Sequence, residues 1–408
     1  MTAPTTEPDA RAEHSVLDGV RVLDASMIYA GPLAATLLGD YGADVIKLEH
    51  PGRGDPLRTH GPSKNGHGLW WKMLARNKRA ATLDLSHPRG QELFLTLAEH
   101  ADVVVESFRP GVMERWGLGY DQLRARNRRI VMLRITGFGQ RGPYAHRRGF
   151  GTLAEAMSGF AAMTGDADGP PTLPPFGLAD GIAGLAGAFA VLLALRARDV
   201  NGEGQEIDVS LVEPLLFVLG AQATVYDQLG VLQERTGNRS ANNAPRNTYR
   251  TRDGKWVAIS TSALPVAERV MELVGRPDLI SEPWFSTGRG RAAHADELDE
   301  LVAAWVAERD QEMAVEIFTE AGAAAAPVWT IDELLSDPHF TALETFVSVI
   351  DDALGPIIMQ NVIARLASTP GHVRFAGRSL GVDNESVYRE LAGLTPEDVS
   401  SLASQGVL

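Results

Sequence analysis

The sequence predicts an α/β fold: a parallel sheet with helices on both faces, joined to a smaller α+β module. Three observations carry this. In the first third, short Val/Ile/Leu-rich runs alternate with helical patterns, the signature of βα units. Downstream, residues 249–260 (YRTRDGKWVAIS) set Asp253-Gly254 between two β-prone runs, a hairpin with a tight turn, and helical patterns follow it. The chain has 408 residues, 44% of them apolar, enough core for two or three domains at roughly 150 residues each.

Taken in order, the first fourteen residues (MTAPTTEPDARAEH) are polar without an apolar run, so they read as a disordered start and not a signal peptide. Strands are expected at 20–26 (VRVLDAS), 43–49 (ADVIKLE), 80–85 (AATLDL), 102–108 (DVVVESF) and 130–136 (IVMLRIT). Helices are expected between them at 32–41, 88–100 and 120–126. The first follows its strand through Ala30-Gly31-Pro32. Proline suits a first helical turn, and the free N–H groups there attract anions. Ligands of parallel sheets bind beyond the carboxyl ends of the strands, here the loops 26–31, 50–54, 107–111 and 137–142.

A Gly/Pro-rich loop at 165–177 then leads into an apolar helix, 179–198, and NGEGQEIDVS reads as a turn feeding a strand. Helices are expected at 266–274, 293–308 and 311–321. The tail, 356–408, carries mixed signals and a final helix, 386–392. The longest strongly apolar stretch, 181–195, lies between Asp180 and Arg196 and is too short to span a bilayer comfortably. The expectation is a soluble, cytoplasmic protein that does not enter a membrane.

Charge narrows the function. The net charge is −14, which argues against a general nucleic-acid binder. It is uneven: residues 43–150 carry nineteen Lys and Arg against ten Asp and Glu, net +9, while residues 151–408 are net −19. The basic third could hold an anion or be a solvated surface. With zero cysteines there is no disulfide, thiolate metal site or cysteine nucleophile. The histidines form no HxxxH pair, and no metal is expected. Ser158-Gly159 and Ser210 lack the context of a nucleophile elbow.

Gly137-Phe138-Gly139-Gln140-Arg141-Gly142 spells GxGxxG, and Glu49 ends the second strand. The glycines follow the fifth strand, and Pro143-Tyr144 leads into a charged loop, so no NAD or flavin site is expected. Asp180 is the most pointed residue. It could cap the apolar helix. It could equally be a carboxylate nucleophile, kept ionised by the helix N-terminus, with Ala179, Gly181 and Gly184 leaving room for a substrate.

LDGVRVLD…AGPLAATLLGDYGADVIKLEHPGRGD resembles the N-terminal signature of the class III CoA-transferases, the family of formyl-CoA transferase, carnitine CoA-transferase and alpha-methylacyl-CoA racemase. NKRAATLDL, ADVVVESFRPGVMERWGLGY, GFGQRGPY, GFGTLAEAMSG, LADGIAG, GEGQEIDVS and NTYRTRDGKWVAIS follow in the family's order. The resemblance covers about residues 17–260. It implies a Rossmann-like large domain (15–200, completed by 331–408), a linker (201–230), a smaller domain (231–330), and two subunits interlocked as a homodimer.

The resemblance makes Asp180 the catalytic nucleophile on acyl-CoA, through an aspartyl–acyl anhydride and an aspartyl–CoA thioester, with a small carboxylic acid as the other substrate. Coenzyme A contacts carry over onto Tyr29, Ala30, Leu83, Leu85, Ser107, Phe108, Arg115 and Arg148. Ser107 stands where an asparagine is common, and His50 where a basic residue lies near the adenine. The racemases carry a His-Asp pair at the positions of Phe150 and Gly151. Phe150 cannot exchange a proton, which favours a transferase over a 2-methylacyl-CoA racemase. The glycine-rich loop of formyl-CoA transferase is Ser240–Asn243 (SANN) here, which argues against oxalate and formate. GFGTLAEAMSG and LPPFGLADG are closer to transferases that use succinyl-CoA.

Overall fold

Six strands form one parallel sheet: β1 (Arg21–Asp24), β2 (Asp44–Glu49), β3 (Lys78–Thr82), β4 (Val103–Glu106), β5 (Val131–Thr136) and β6 (Glu206–Ser210). In this computed structural model residues 15–408 are described, and the polar start, 1–14, lies outside them. Across the sheet the order is β3-β2-β1-β4-β5-β6. Val22 of β1 lies beside Val45 on one side and Val103 on the other. The central strands are buried along nearly their whole length, so they are rich in Val, Ile and Leu, and the charged residues among them, Lys47, Glu49, Glu106 and Arg134, are buried as well. The order reverses between β1 and β4. Their following loops diverge there, opening a crevice at the carboxyl ends.

The chain divides into two units. The first holds the described residues up to Ser158, then Pro174–Gly220 and Thr341–Leu408. Helix α1 (Ala30–Asp40) starts from the end of β1, with Pro32 in its first turn. Helix α2 (Gly151–Met157) follows the loop after β5. Helix α3 (Leu178–Asn201) packs on both α1 and β5, and α4 (Val212–Val218) packs on α3. The α1–α3 approach depends on glycine: a Cβ at Gly184 would stand 2.9 Å from Ala30 O and from Leu33 Cδ2.

The second unit, Gly159–Leu173 with Ala221–Phe340, is built on a three-stranded antiparallel sheet. The Arg246–Arg250 and Trp256–Ser260 strands form the expected hairpin, and Gly254 takes φ +82° in its turn. Ala325–Pro327 pairs on the other side of the second strand. Helices Leu264–Leu273, Ala295–Ala307 and Gln311–Glu320 bury Val270, Val302 and Phe318 against the sheet.

Three expectations change. The helix at 384–392 is not the last, because Thr395 and Asp398 form a capping box that starts another at Pro396–Ser404. Phe346–Asp351 and Gly355–Gln360 form an unforeseen hairpin. The apolar helix, expected over 179–198, runs for 24 residues, because its last turn continues through polar residues to Gly202 (φ +82°). By length and composition alone it could therefore cross a membrane. One face, including Ala183, Gly187, Val191 and Leu195, is buried in the first unit, whereas Leu185, Phe189, Leu192 and Leu193 are exposed.

Candidate active site

A cavity of about 820 Å³ fills the crevice at the reversal point. Its walls are the β1–α1 loop (Met27–Gly31), the loop after β4 (Ser107–Pro110), the approach to α2 (Arg147–Thr152) and the start of α3 (Pro174–Gly177, Asp180). Of the residues singled out from sequence, it gathers Tyr29, Ala30, Ser107, Phe108, Arg148, Phe150, Gly151 and Asp180. A second cavity of about 250 Å³ is lined by Leu83, Leu85, His50 and Trp116. Phe108 lines both, its ring edge-on to Trp116 at 5.1 Å. Arg115 lines neither cavity and is exposed on its short helix. Ser240–Asn243 lies in the second unit, where Asn243 Nδ2 donates to Ser262 Oγ at 2.8 Å.

Asp180 is not the cap of α3. Gly177 holds that position and offers no side chain, and Asp180 sits in the first helical turn. The backbone N–H groups of Asp180 itself and of Gly151 favour the ionised form of its carboxylate. A Cβ on Gly151 would overlap Asp180 Oδ2, so only glycine lets α2 present its first N–H this closely. Phe150, beside it, is 61% exposed. Tyr29 closes the other side: a Cβ on Gly177 would lie 3.6 Å from Asp180 Cβ and 3.7 Å from Tyr29 Cδ1.

The capping role falls to Glu155, which sequence reading missed. It projects from α2 one turn after Gly151, is 2% exposed, and its Oε1 accepts from Ala179 N at 3.1 Å. An acid among the small and apolar residues of GTLAEAMSG was the available signal. Burial, and then the charge of Glu155, push the Asp180 carboxyl up to about 6, against the pull of the two N–H groups. It is thus raised and yet mostly ionised at pH 7. Burial and the Asp180 charge also raise the Tyr29 phenol.

The rim is cationic: the guanidinium groups of Arg109, Arg147 and Arg148 line the cavity, with the His60 ring beside them. The Arg147 guanidinium lies 3.7 Å over the Tyr144 ring. Ser107 Oγ accepts from Met27 N at 2.9 Å, tying the two loops of the crevice together. In the Gly137–Gly142 loop, Gly137 is required by a chain crossing, where a Cβ would stand 2.5 Å from Gly149 Cα, whereas Gly139 (φ +79°) and Gly142 (φ +87°) are required by left-handed turns. A half-buried carboxylate in a crevice with a basic rim can attack an anionic, activated acyl compound.

Comparison with known proteins gives one consistent result. The family model described as CoA-transferase family III matches residues 17–384. Succinyl-CoA–D-citramalate CoA-transferase of Chloroflexus aurantiacus is 42% identical over 393 residues, covering 96% of this chain and 98% of that protein. The beta subunit of succinyl-CoA–L-malate CoA-transferase from the same organism is 40% identical over 396 residues, covering 96% and 98%. The crystal structure of a CAIB/BAIF family protein from Brucella suis superposes with a TM-score of 0.82 at 30% identity, covering 93% of this chain and 100% of that one.

Proposed function

The chain belongs to CoA-transferase family III, and from that premise we propose that it moves CoA from succinyl-CoA to a free dicarboxylic acid, with Asp180 as the group that carries the transfer. The observation that carries this reading is the Asp180 carboxylate itself, which lines the 820 Å³ cavity beside Gly151, under a rim that carries Arg109, Arg147 and Arg148.

In the first step an Asp180 oxygen attacks the thioester carbonyl. The C–S bond breaks, CoA leaves as thiolate, and an aspartyl–acyl anhydride remains. The thiolate then attacks the aspartyl carbonyl, the donor acid departs as carboxylate, and an aspartyl–CoA thioester forms. The acceptor carboxylate attacks that thioester, and the released thiolate attacks the acceptor's acyl carbon, regenerating Asp180. No net proton is consumed, so no general acid is needed, in keeping with Phe150 where a racemase would carry histidine.

The acids named for the relatives, D-citramalate and L-malate, suggest a hydroxydicarboxylate as acceptor. Its second carboxylate suits the rim of His60, Arg109, Arg147 and Arg148. The second cavity suits the nucleotide end of CoA, and Phe108 would mark the passage between the two. The strand order supports reading the first unit as a Rossmann-like domain, completed by the C-terminal return segment, with the second unit as the smaller domain. The exposed apolar faces of α3 and α4, with Phe189 62% and Phe217 85% exposed, support a homodimer that covers them in the cytoplasm.

The test is chemical trapping. Incubation with succinyl-CoA and hydroxylamine should place a hydroxamate on Asp180, found by peptide mass spectrometry. Asp180→Ala should lose both the adduct and transfer to every acid in a panel of dicarboxylates. Full transfer by Asp180→Ala would overturn the reading.

A further inference from the structure

The β1–α1 loop is held in a conformation that its sequence does not favour. Ile28 has φ +68°, a left-handed backbone that a β-branched residue rarely adopts. It is also the residue that turns the chain between Met27, which lines both cavities, and Tyr29, which stands beside Asp180. Glycine would make this turn without strain, so something outside the loop must hold it.

What holds it is a buried carboxylate from another element. Asp55, 2% exposed, accepts from Ile28 N at 3.1 Å through Oδ1, and the same oxygen accepts from Leu57 N at 2.9 Å. Asp55 N in turn donates to Glu49 Oε2 at 2.9 Å. Asp55 Oδ2 pairs with Lys47 Nζ at 2.9 Å, and that ammonium also donates to Ser26 O in the loop. Behind it, Lys78 Nζ pairs with Asp24 Oδ2 at 2.9 Å and donates to Pro32 O at 2.7 Å, in the first turn of α1. Asp24, Lys47 and Lys78 are each at most 1% exposed. Two buried Asp and two buried Lys balance in charge and clamp the loop from the end of β1 to the start of α1. Buried pairs of this kind are poor sources of stability but strong sources of geometry.

We infer that Asp55, with Lys47, is a positioning residue of the acyl-CoA site: it holds Ile28 in the left-handed turn and thereby sets Tyr29 and the loop wall of both cavities. This rests on the reading of the cavities as the acyl-CoA site. Asp55 lines only the smaller cavity and acts on the larger one through Ile28.

The experiment is a double-mutant cycle between Asp55 and Ile28, read by the CoA dissociation constant from calorimetry and by kcat and KM for succinyl-CoA. Asp55→Ala should raise both the dissociation constant and KM by about tenfold or more, beyond its effect on kcat. Asp55→Asn keeps an acceptor for Ile28 N and should stay within about threefold. Ile28→Gly, which removes the need for the clamp, should recover most of the Asp55→Ala loss when the double variant is compared with Ile28→Gly alone. A folded Asp55→Ala with wild-type affinity, or losses that simply multiply in the double variant, would overturn the inference. Where Asp55→Ala does not fold, the cycle is run with Asp55→Ser, whose hydroxyl is one bond shorter and gives up the Ile28 N contact, and absence of coupling with Ile28→Gly there counts against the inference. The dissociation constant needs no turnover. A wild-type enzyme that binds CoA without an Asp180 adduct would sink the transferase mechanism while leaving the Asp55 result readable.

Discussion

At the scale of single residues, the site is a balance of forces on one carboxylate. Asp180 is raised to about 6 by burial and by Glu155, and the proposed reaction requires it ionised. Transfer should therefore fall as pH drops through about 6, seen as an acid limb in kcat. Glu155→Gln keeps an oxygen to accept from Ala179 N but removes the charge. The limb should move to lower pH by up to about one unit, and an unmoved limb would remove Glu155 from the account. The same shift has a sign in stability. A carboxyl raised in the folded state favours folding below its unfolded pKa, and that contribution is lost as pH rises through about 6. Asp180→Asn should therefore be more stable than wild type at pH 8, by on the order of 1 kcal/mol after solvent screening, with the gain shrinking towards pH 4. Urea melts at the two pH values measure it. Gly151→Ala would place a methyl against Asp180 Oδ2, and should lower kcat by at least about tenfold while leaving the melting temperature within a few degrees.

At the scale of elements, α3 does two jobs on two faces. Its first turn carries Asp180, so any movement of the helix moves the proposed nucleophile. Its position is set by close packing at Gly184 against α1 and at Gly187 against Ile135 Cδ1, 2.9 Å from where a Cβ would stand. Gly184→Val should push α3 off α1, costing about 2 kcal/mol or more in chemical denaturation and lowering kcat with it. Full activity in a destabilised Gly184→Val would separate helix packing from nucleophile placement. The opposite face of α3 is apolar and exposed, and no feature of its period distinguishes a face meant for a partner from one meant for the core.

At the scale of the whole molecule, that exposed face decides between partners. In a homodimer, Phe189→Glu on α3 and Phe217→Glu on α4 should shift sedimentation from twice the chain mass towards one, without detergent. Monomeric wild type that partitions into vesicles would instead favour the membrane alternative that the helix length permits. The uneven charge has its place here too. The basic stretch 43–150 contributes His60, Arg109, Arg147 and Arg148 to the rim of one cavity, inside a chain of net −14.

The sequence by itself determined the α/β class, the strands of the sheet, the loops at their carboxyl ends and the apolar helix that carries Asp180 near its start. These follow from local periodicity, from turn chemistry and from motifs that lie contiguous in the chain. Only the tertiary structure decided what surrounds Asp180 and what holds the loop facing it. Glu155 reaches Ala179 across 24 positions, and Asp55 reaches Ile28 across 27. A buried acid reads like any other acid in a string of letters, and Ile28 reads like an ordinary apolar residue. Their roles come from the desolvation and through-space contact that exist only once β1, β2, α2 and α3 are packed.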